Sequence, residues 1–105
     1  MRKHFYLITE HPDDDRVGQV QTTDKRFETA EKNVETVHQK RNMETGEEYE
    51  ESLVYCGYMV YDSARQYQLK AMEDTIAKLR EIDESHLDAA GLDPDSVFDR
   101  TEAEA

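Results

Sequence analysis

The sequence predicts an α+β domain: a small antiparallel sheet in ββαβα order, with two helices on one face and short C-terminal helical turns. Two short runs rich in aromatic and β-branched residues, 3–9 and 52–61, read as strands. Two longer stretches, 25–42 and 63–83, place apolar residues at three- and four-residue steps, the spacing of a half-buried helix. With 105 residues and 36% hydrophobic content, the chain supports one domain over residues 1–99, and residues 100–105 read as a disordered acidic tail.

Taken in order, residues 3–9 (KHFYLIT) are bounded by charge and form the first strand. His11-Pro12-Asp13-Asp14-Asp15 follows with turn chemistry, Pro fixing φ and three carboxylates able to accept from nearby backbone N–H groups. Residues 17–23 alternate weakly and predict a polar edge strand paired to the first. Asp24 then caps a helix over residues 25–42 with Phe27, Ala30, Val34, Val37 and Arg41 along one side, and Gly46 ends it. Residues 52–61 (SLVYCGYMVY) form the most apolar segment, read as a strand covered on both faces. Asp62 or Ser63 caps the second helix, whose inner stripe is Leu69, Met72, Ile76, Leu79 and Ile82, with Asp74 among its solvent-facing residues. A turn over residues 86–90 ends at Gly91, and Pro94 opens one more turn that brings Val97 and Phe98 back as an apolar latch.

Both apolar strands carry large side chains on both faces, whereas two helices on one side cover only one of them. The reading is therefore a homodimer that joins through the uncovered face, represented by Tyr6, Val54, Tyr58 and Val60.

Charge limits the partners. Asp and Glu number 25 against 13 Lys and Arg, a formal net charge of −12. Nucleic-acid phosphates and anionic membranes are repelled at this charge, and a basic protein partner is attracted. The acids cluster: Glu44, Glu47, Glu48, Glu50 and Glu51 form the main candidate partner-binding patch, and Asp13, Asp14 and Asp15 a secondary one. The longest charge-free run, Ser52 to Tyr61, is too short for a membrane span of about twenty residues. The run between Lys3 and Glu10 is likewise too short for the apolar core of a secretory leader, so the expected location is cytoplasmic. A single cysteine, Cys56, permits neither an internal disulfide nor a cysteine-based zinc site.

The sharpest motif is the strand Tyr6-Leu7-Ile8-Thr9 running into Glu10-His11-Pro12-Asp13-Asp14-Asp15. It resembles the opening of the zinc-dependent N-acetylglucosamine deacetylases, where a strand runs into A-H-P-D-D-E. That resemblance implies His11 and Asp14 as zinc ligands and Asp13 as general base. It departs from the pattern at Glu10 and Asp15, and His38 and His86, each alone on an expected helix, offer no counterpart to the third ligand of that family. Zinc catalysis needs three protein ligands and an open position. The motif is therefore read as a turn. Cys56 sits mid-strand among Val54, Tyr55 and Tyr58 and reads as a buried small hydrophobe rather than a nucleophile, and the four isolated glycines make no phosphate loop. No catalytic residue, metal or cofactor is expected.

The resulting functional expectation is a small, non-enzymatic acidic binding protein that occupies a basic, nucleic-acid-binding surface of another protein, its carboxylates standing in for phosphates. In composition it resembles the small proteins with which viruses and mobile elements block restriction or CRISPR machinery. The competing expectation is a structural or assembly protein that oligomerises through the apolar sheet face, with acidity serving solubility or salt adaptation.

Overall fold

A computed structural model describes residues 1–93. It is an α+β fold with a four-stranded antiparallel sheet and two helices, but all four strands precede the helices. The strands are β1 (Arg2–Glu10), β2 (Val20–Thr23), β3 (Glu35–Arg41) and β4 (Glu48–Val60), and the helices are α1 (Ala64–Leu79) and α2 (Glu84–Ala89). The sheet order is β2-β1-β4-β3. The chain order is thus ββββαα, which corrects the expected ββαβα. The expected turn at residues 94–98, with its Val97 and Phe98 latch, and the acidic tail 100–105 lie outside the described residues.

The missing helix is the main correction. Residues 25–42 are an irregular segment, 24–34, followed by β3. Val34, Thr36 and Val37 are β-branched and stiff at χ1, which favours the strand. Asn33, at φ 68°, reverses the chain before β3 begins. Phe27 and Ala30, read as the inner stripe of a helix, are inner residues of a loop: Ala30 is buried and Phe27 packs beside it on Tyr6, Ile8, Leu53 and Tyr55. The Phe27 N–H donates to the Tyr6 hydroxyl at 3.0 Å, and the Asn33 N–H donates to the Tyr55 carbonyl at 2.8 Å.

This loop covers the sheet face that the helices leave. On the other face, Phe5, Leu7, Val54 and Cys56 pack with Tyr61, Leu79, Ile82, Leu87 and Ala90. Each fully buried Leu or Phe there contributes roughly 2 kcal/mol. The centre of the sheet is therefore enclosed on both sides within a single copy of the chain.

A bulge redistributes the residues of β4. Phe5 pairs with Gly57 and Tyr6 with Tyr55, so Cys56 is an extra residue and Gly57 adopts φ 101°. Side chains change sides across it: Leu53 and Tyr55 share the loop-covered face with Tyr58 and Val60, while Val54 and Cys56 share the helix-covered face with Met59 and Tyr61. The face expected for dimerisation does not exist as one surface. Tyr6 and Val54 are buried on opposite sides of the sheet, and only Tyr58 and Val60, at one end, are exposed, at 47% and 61%.

Helix α1 starts where expected, with the Ser63 hydroxyl accepting from the Gln66 N–H at 3.1 Å. Leu79 and Ile82 of the expected stripe are buried, but the first half of the helix presents a different inner side. Tyr67 packs edge-on against Tyr61 and hydrogen-bonds Thr22 at 2.8 Å, and the Tyr61 hydroxyl donates to the Asp74 carboxylate at 2.7 Å. These polar contacts rotate the helix so that Asp74 is buried and Leu69 and Met72 face outward.

Candidate functional site

The antiparallel pairing of β1 with β4 brings the end of one strand to the start of the other. Ser52 donates to Glu10 at 3.2 Å where they meet. The turn that follows β1 and the hairpin that precedes the paired part of β4 therefore share one end of the sheet, and the two acidic segments become one surface.

Each half is locally ordered. In the turn, Asp13 accepts from the Asp15 N–H at 3.0 Å and caps a 3-10 turn over Asp14–Arg16, with Asp14 and Asp15 in its first turn. The Asp13 N–H donates to His11 Nδ1 at 2.9 Å. In the hairpin, Asn42 Oδ1 accepts from the Glu44 and Thr45 N–H groups at 2.8 and 3.3 Å, and the Gly46 N–H closes the loop on the Asn42 carbonyl at 2.8 Å. Gly46 has φ 74°, the left-handed conformation this loop requires. The halves meet where the His11 and Tyr49 rings lie 5.1 Å apart. Between them runs an open cleft of about 860 Å³ lined by His11, Pro12, Asp13, Arg16, Arg41, Asn42, Met43, Glu44, Glu47, Glu48 and Tyr49.

The expected acidic residues divide by register. Glu44 and Glu47 are exposed at the hairpin tip, and Glu48 and Glu50 are exposed on β4, bonded across the hairpin to Arg41 at 3.2 Å and Gln39 at 2.7 Å. Glu51 points to the opposite face, where it is 3% exposed and pairs with Lys40 at 3.2 Å. It belongs to the fold and has no surface to offer a partner. Asp13, Asp14 and Asp15 are all exposed. Sequence reasoning missed Arg16, Arg41 and Tyr49, which put two cations and one aromatic ring into the acidic cleft.

The chemistry of this end is that of carboxylates and a turn. His11 Nδ1 already accepts a backbone N–H, and Asp13 is engaged as a cap. No group of three His, Cys, Asp or Glu side chains stands close enough to hold a metal ion among the described residues. His38 lies on β3 beside Thr36, 2.7 Å from its hydroxyl, and His86 Nε2 lies 3.1 Å from the Asn33 carbonyl; neither approaches His11. Cys56 is buried, its thiol donating to the Val54 carbonyl at 3.4 Å, and burial pushes its pKa up to about 12, which suppresses the nucleophilic thiolate. No described helix is long and apolar enough to cross a membrane. No family model, curated protein or solved structure matches this chain.

Proposed function

We propose that this is a small, non-enzymatic acidic binding protein whose carboxylate-bearing end occupies a basic, nucleic-acid-binding surface of a target protein, as inhibitors carried by viruses or mobile elements do. One observation carries the reading: two acidic segments about thirty residues apart in the chain converge on one end of a rigid sheet. Glu44, Glu47, Glu48, Glu50, Asp13, Asp14 and Asp15 are all exposed there, beside Arg16 and Arg41. Carboxylates held by a folded scaffold lose little conformational entropy on pairing, and Arg or Lys side chains that normally grip phosphates pair with them through charge-assisted hydrogen bonds. Of the two resident arginines, Arg41 pairs with Glu48 alone, which leaves the other carboxylates of this end to a partner.

The test is co-purification of the tagged chain from its native host, with elution by a short duplex nucleic acid. The proposal expects a basic protein that is released by the duplex and is not captured by the variant Glu44→Gln, Glu47→Gln, Glu48→Gln, Glu50→Gln. Glu51 is left intact because its loss acts on the fold. Capture that resists the duplex and is indifferent to the four substitutions sinks the proposal.

A further inference from the structure

At the end of the sheet opposite the acids, the described residues build a surface of different character. Arg2 pairs with Val60 and His4 with Tyr58 in the β1–β4 ladder, so all four side chains lie on the loop-covered face. The Arg2 guanidinium rests over the Tyr58 ring, 4.6 Å from its centroid, and the His4 ring packs on the same tyrosine at 5.7 Å. Arg26 adjoins Phe27, whose N–H donates to the Tyr6 hydroxyl on this same face, and so brings a second cation to it. The charges of Arg2 and Arg26 act together on His4, which burial first and these two arginines second hold below its ordinary pKa. His4 Nδ1 is hydrogen-bonded to the Tyr55 hydroxyl at 2.8 Å, which fixes the platform beneath. Lys3 and Asp24, nearby, are consumed by each other at 2.6 Å.

Among the described residues, neither Arg2 nor Arg26 has a carboxylate within ion-pair distance. In a chain with 25 acids, two arginines left without a carboxylate beside a half-exposed tyrosine and an exposed valine have the composition of an interface anchor. The opposite end carries side chains of complementary charge and chemistry. The hairpin tip is preorganised by Asn42; Met43, 92% exposed, follows it and precedes Glu44, and Glu47 closes the loop, its carbonyl accepting from the Asn42 N–H at 2.8 Å. A polarisable thioether suits the Tyr58 ring, and the two carboxylates suit Arg2 and Arg26. The tip cannot reach its own corner. The 13 residues of β4 separate the two, a span of about 40 Å at the usual strand rise, and the molecule is 43 Å in its longest dimension.

We propose that the Arg2–Arg26–Tyr58 corner receives the Met43 hairpin tip of a second copy of this chain. The contact is heterologous, tip to corner, so copies add head to tail into an open series or a ring rather than closing as a two-fold dimer. The net charge of −12 does not forbid it, because at physiological salt the Debye length of about 8 Å screens the summed charge of two copies while leaving pairs in contact. The inference does not rest on the basic partner proposed above.

Sedimentation equilibrium of the full chain at physiological salt tests it with two variants, Arg2→Gln with Arg26→Gln at the corner and Glu44→Gln with Glu47→Gln at the tip. The wild type gains mass with concentration and passes beyond a dimer. Each variant alone associates about tenfold more weakly, the effect of removing two exposed charge pairs. An equal mixture recovers association but stops at the dimer, since each mixed pair has one intact tip facing one intact corner. A wild type that stays monomeric, or variants that associate as the wild type does, overturns the proposal. Unchanged thermal melts show that both variants fold. Failure here is separable from failure of the partner reading, because the corner variant keeps every carboxylate of the acidic end.

Discussion

Two neighbouring ion pairs on the β3–β4 hairpin have nearly the same length and very different surroundings. Lys40 and Glu51 meet at 3.2 Å with side chains 29% and 3% exposed, while Arg41 and Glu48 meet at 3.2 Å with both side chains about two-thirds exposed. Lys40→Ala leaves the Glu51 carboxylate in its buried position without a counter-charge. Removing one partner of a fully buried pair costs about 3–5 kcal/mol, and since water still reaches the Lys40 side, about 2 kcal/mol is expected. Lys40 also lies 5.7 Å from the Phe27 ring centroid, so a little cation–π attraction is lost with it. For a domain of this size 2 kcal/mol lowers Tm by about 8–16 °C. Arg41→Ala, on the exposed pair, changes stability by less than about 0.5 kcal/mol. Thermal unfolding followed by far-ultraviolet circular dichroism reads both. The double variant Lys40→Met, Glu51→Leu regains most of the loss, because replacing both charges by apolar side chains leaves nothing unpaired. Equal, small effects of Lys40→Ala and Arg41→Ala would show that Glu51 is solvated, and would return it to the acidic surface from which the fold removes it.

Further outcomes follow from the packing of α1 and the turns. Burial, together with the hydrogen bond to Asp74, raises the Tyr61 pKa above its ordinary value of about 10. The native state then holds the phenolic proton more tightly than the unfolded chain, so this contribution is intact below about pH 10 and is lost as pH rises above it. Tyr61→Phe is expected to cost about 2 kcal/mol at neutral pH, leaving buried Asp74 without its donor, and to flatten the alkaline fall in urea-unfolding free energy. An unchanged alkaline slope in that variant refutes the assignment. At Gly18, φ is 90° and an added Cβ would stand 2.9 Å from the Ala90 carbonyl oxygen, so Gly18→Ala combines backbone strain with a clash and should cost about 2–3 kcal/mol in the same urea titration. A loss below about 0.5 kcal/mol there means that the segment after α2 does not pack on this turn.

How far the fold could be read beforehand depended on whether local pattern and tertiary environment agreed. Residues 3–9 and the second half of β4 are dense in aromatic and β-branched side chains and are strands in any packing. Helix α1 has a good cap in Ser63 and a long apolar repeat. Residues 25–42 misled because Phe27, Ala30, Val34 and Val37 fall at helical spacing by coincidence. Phe27 and Ala30 are inner residues of a loop, and Val37 is an outward residue of an edge strand. The informative signals were weaker: the alternation through Val37, Gln39 and Arg41, and an Asn42 to Gly46 turn that makes a hairpin of what otherwise looks like an acidic linker. Glu48, Glu50 and Glu51 disfavour a strand intrinsically, and the backbone ladder to β3, with side-chain contacts to Arg41, Gln39 and Lys40, offsets that preference. Gly57 was the visible trace of the bulge that splits the expected dimer face.

The acidic residues were legible from composition, but their convergence was not. It follows from β4 pairing antiparallel to β1, a contact between residues more than forty positions apart. The alternation of side chains along β4, where it pairs with β3, separates Glu50 from Glu51, which adjacent positions in the sequence would place in one patch. Arg26 was hidden for a related reason: assigned to a helix it lay far from Arg2, and as part of the covering segment it joins the same corner.

Titration of the captured partner against salt tests the role of the acidic end most directly. With the wild-type chain, the logarithm of the association constant should fall steeply and linearly with the logarithm of salt concentration, and the chain carrying Gln at positions 44, 47, 48 and 50 should bind weakly with a shallow slope. Identical slopes for the two chains would place the contact elsewhere on the molecule and contradict the account.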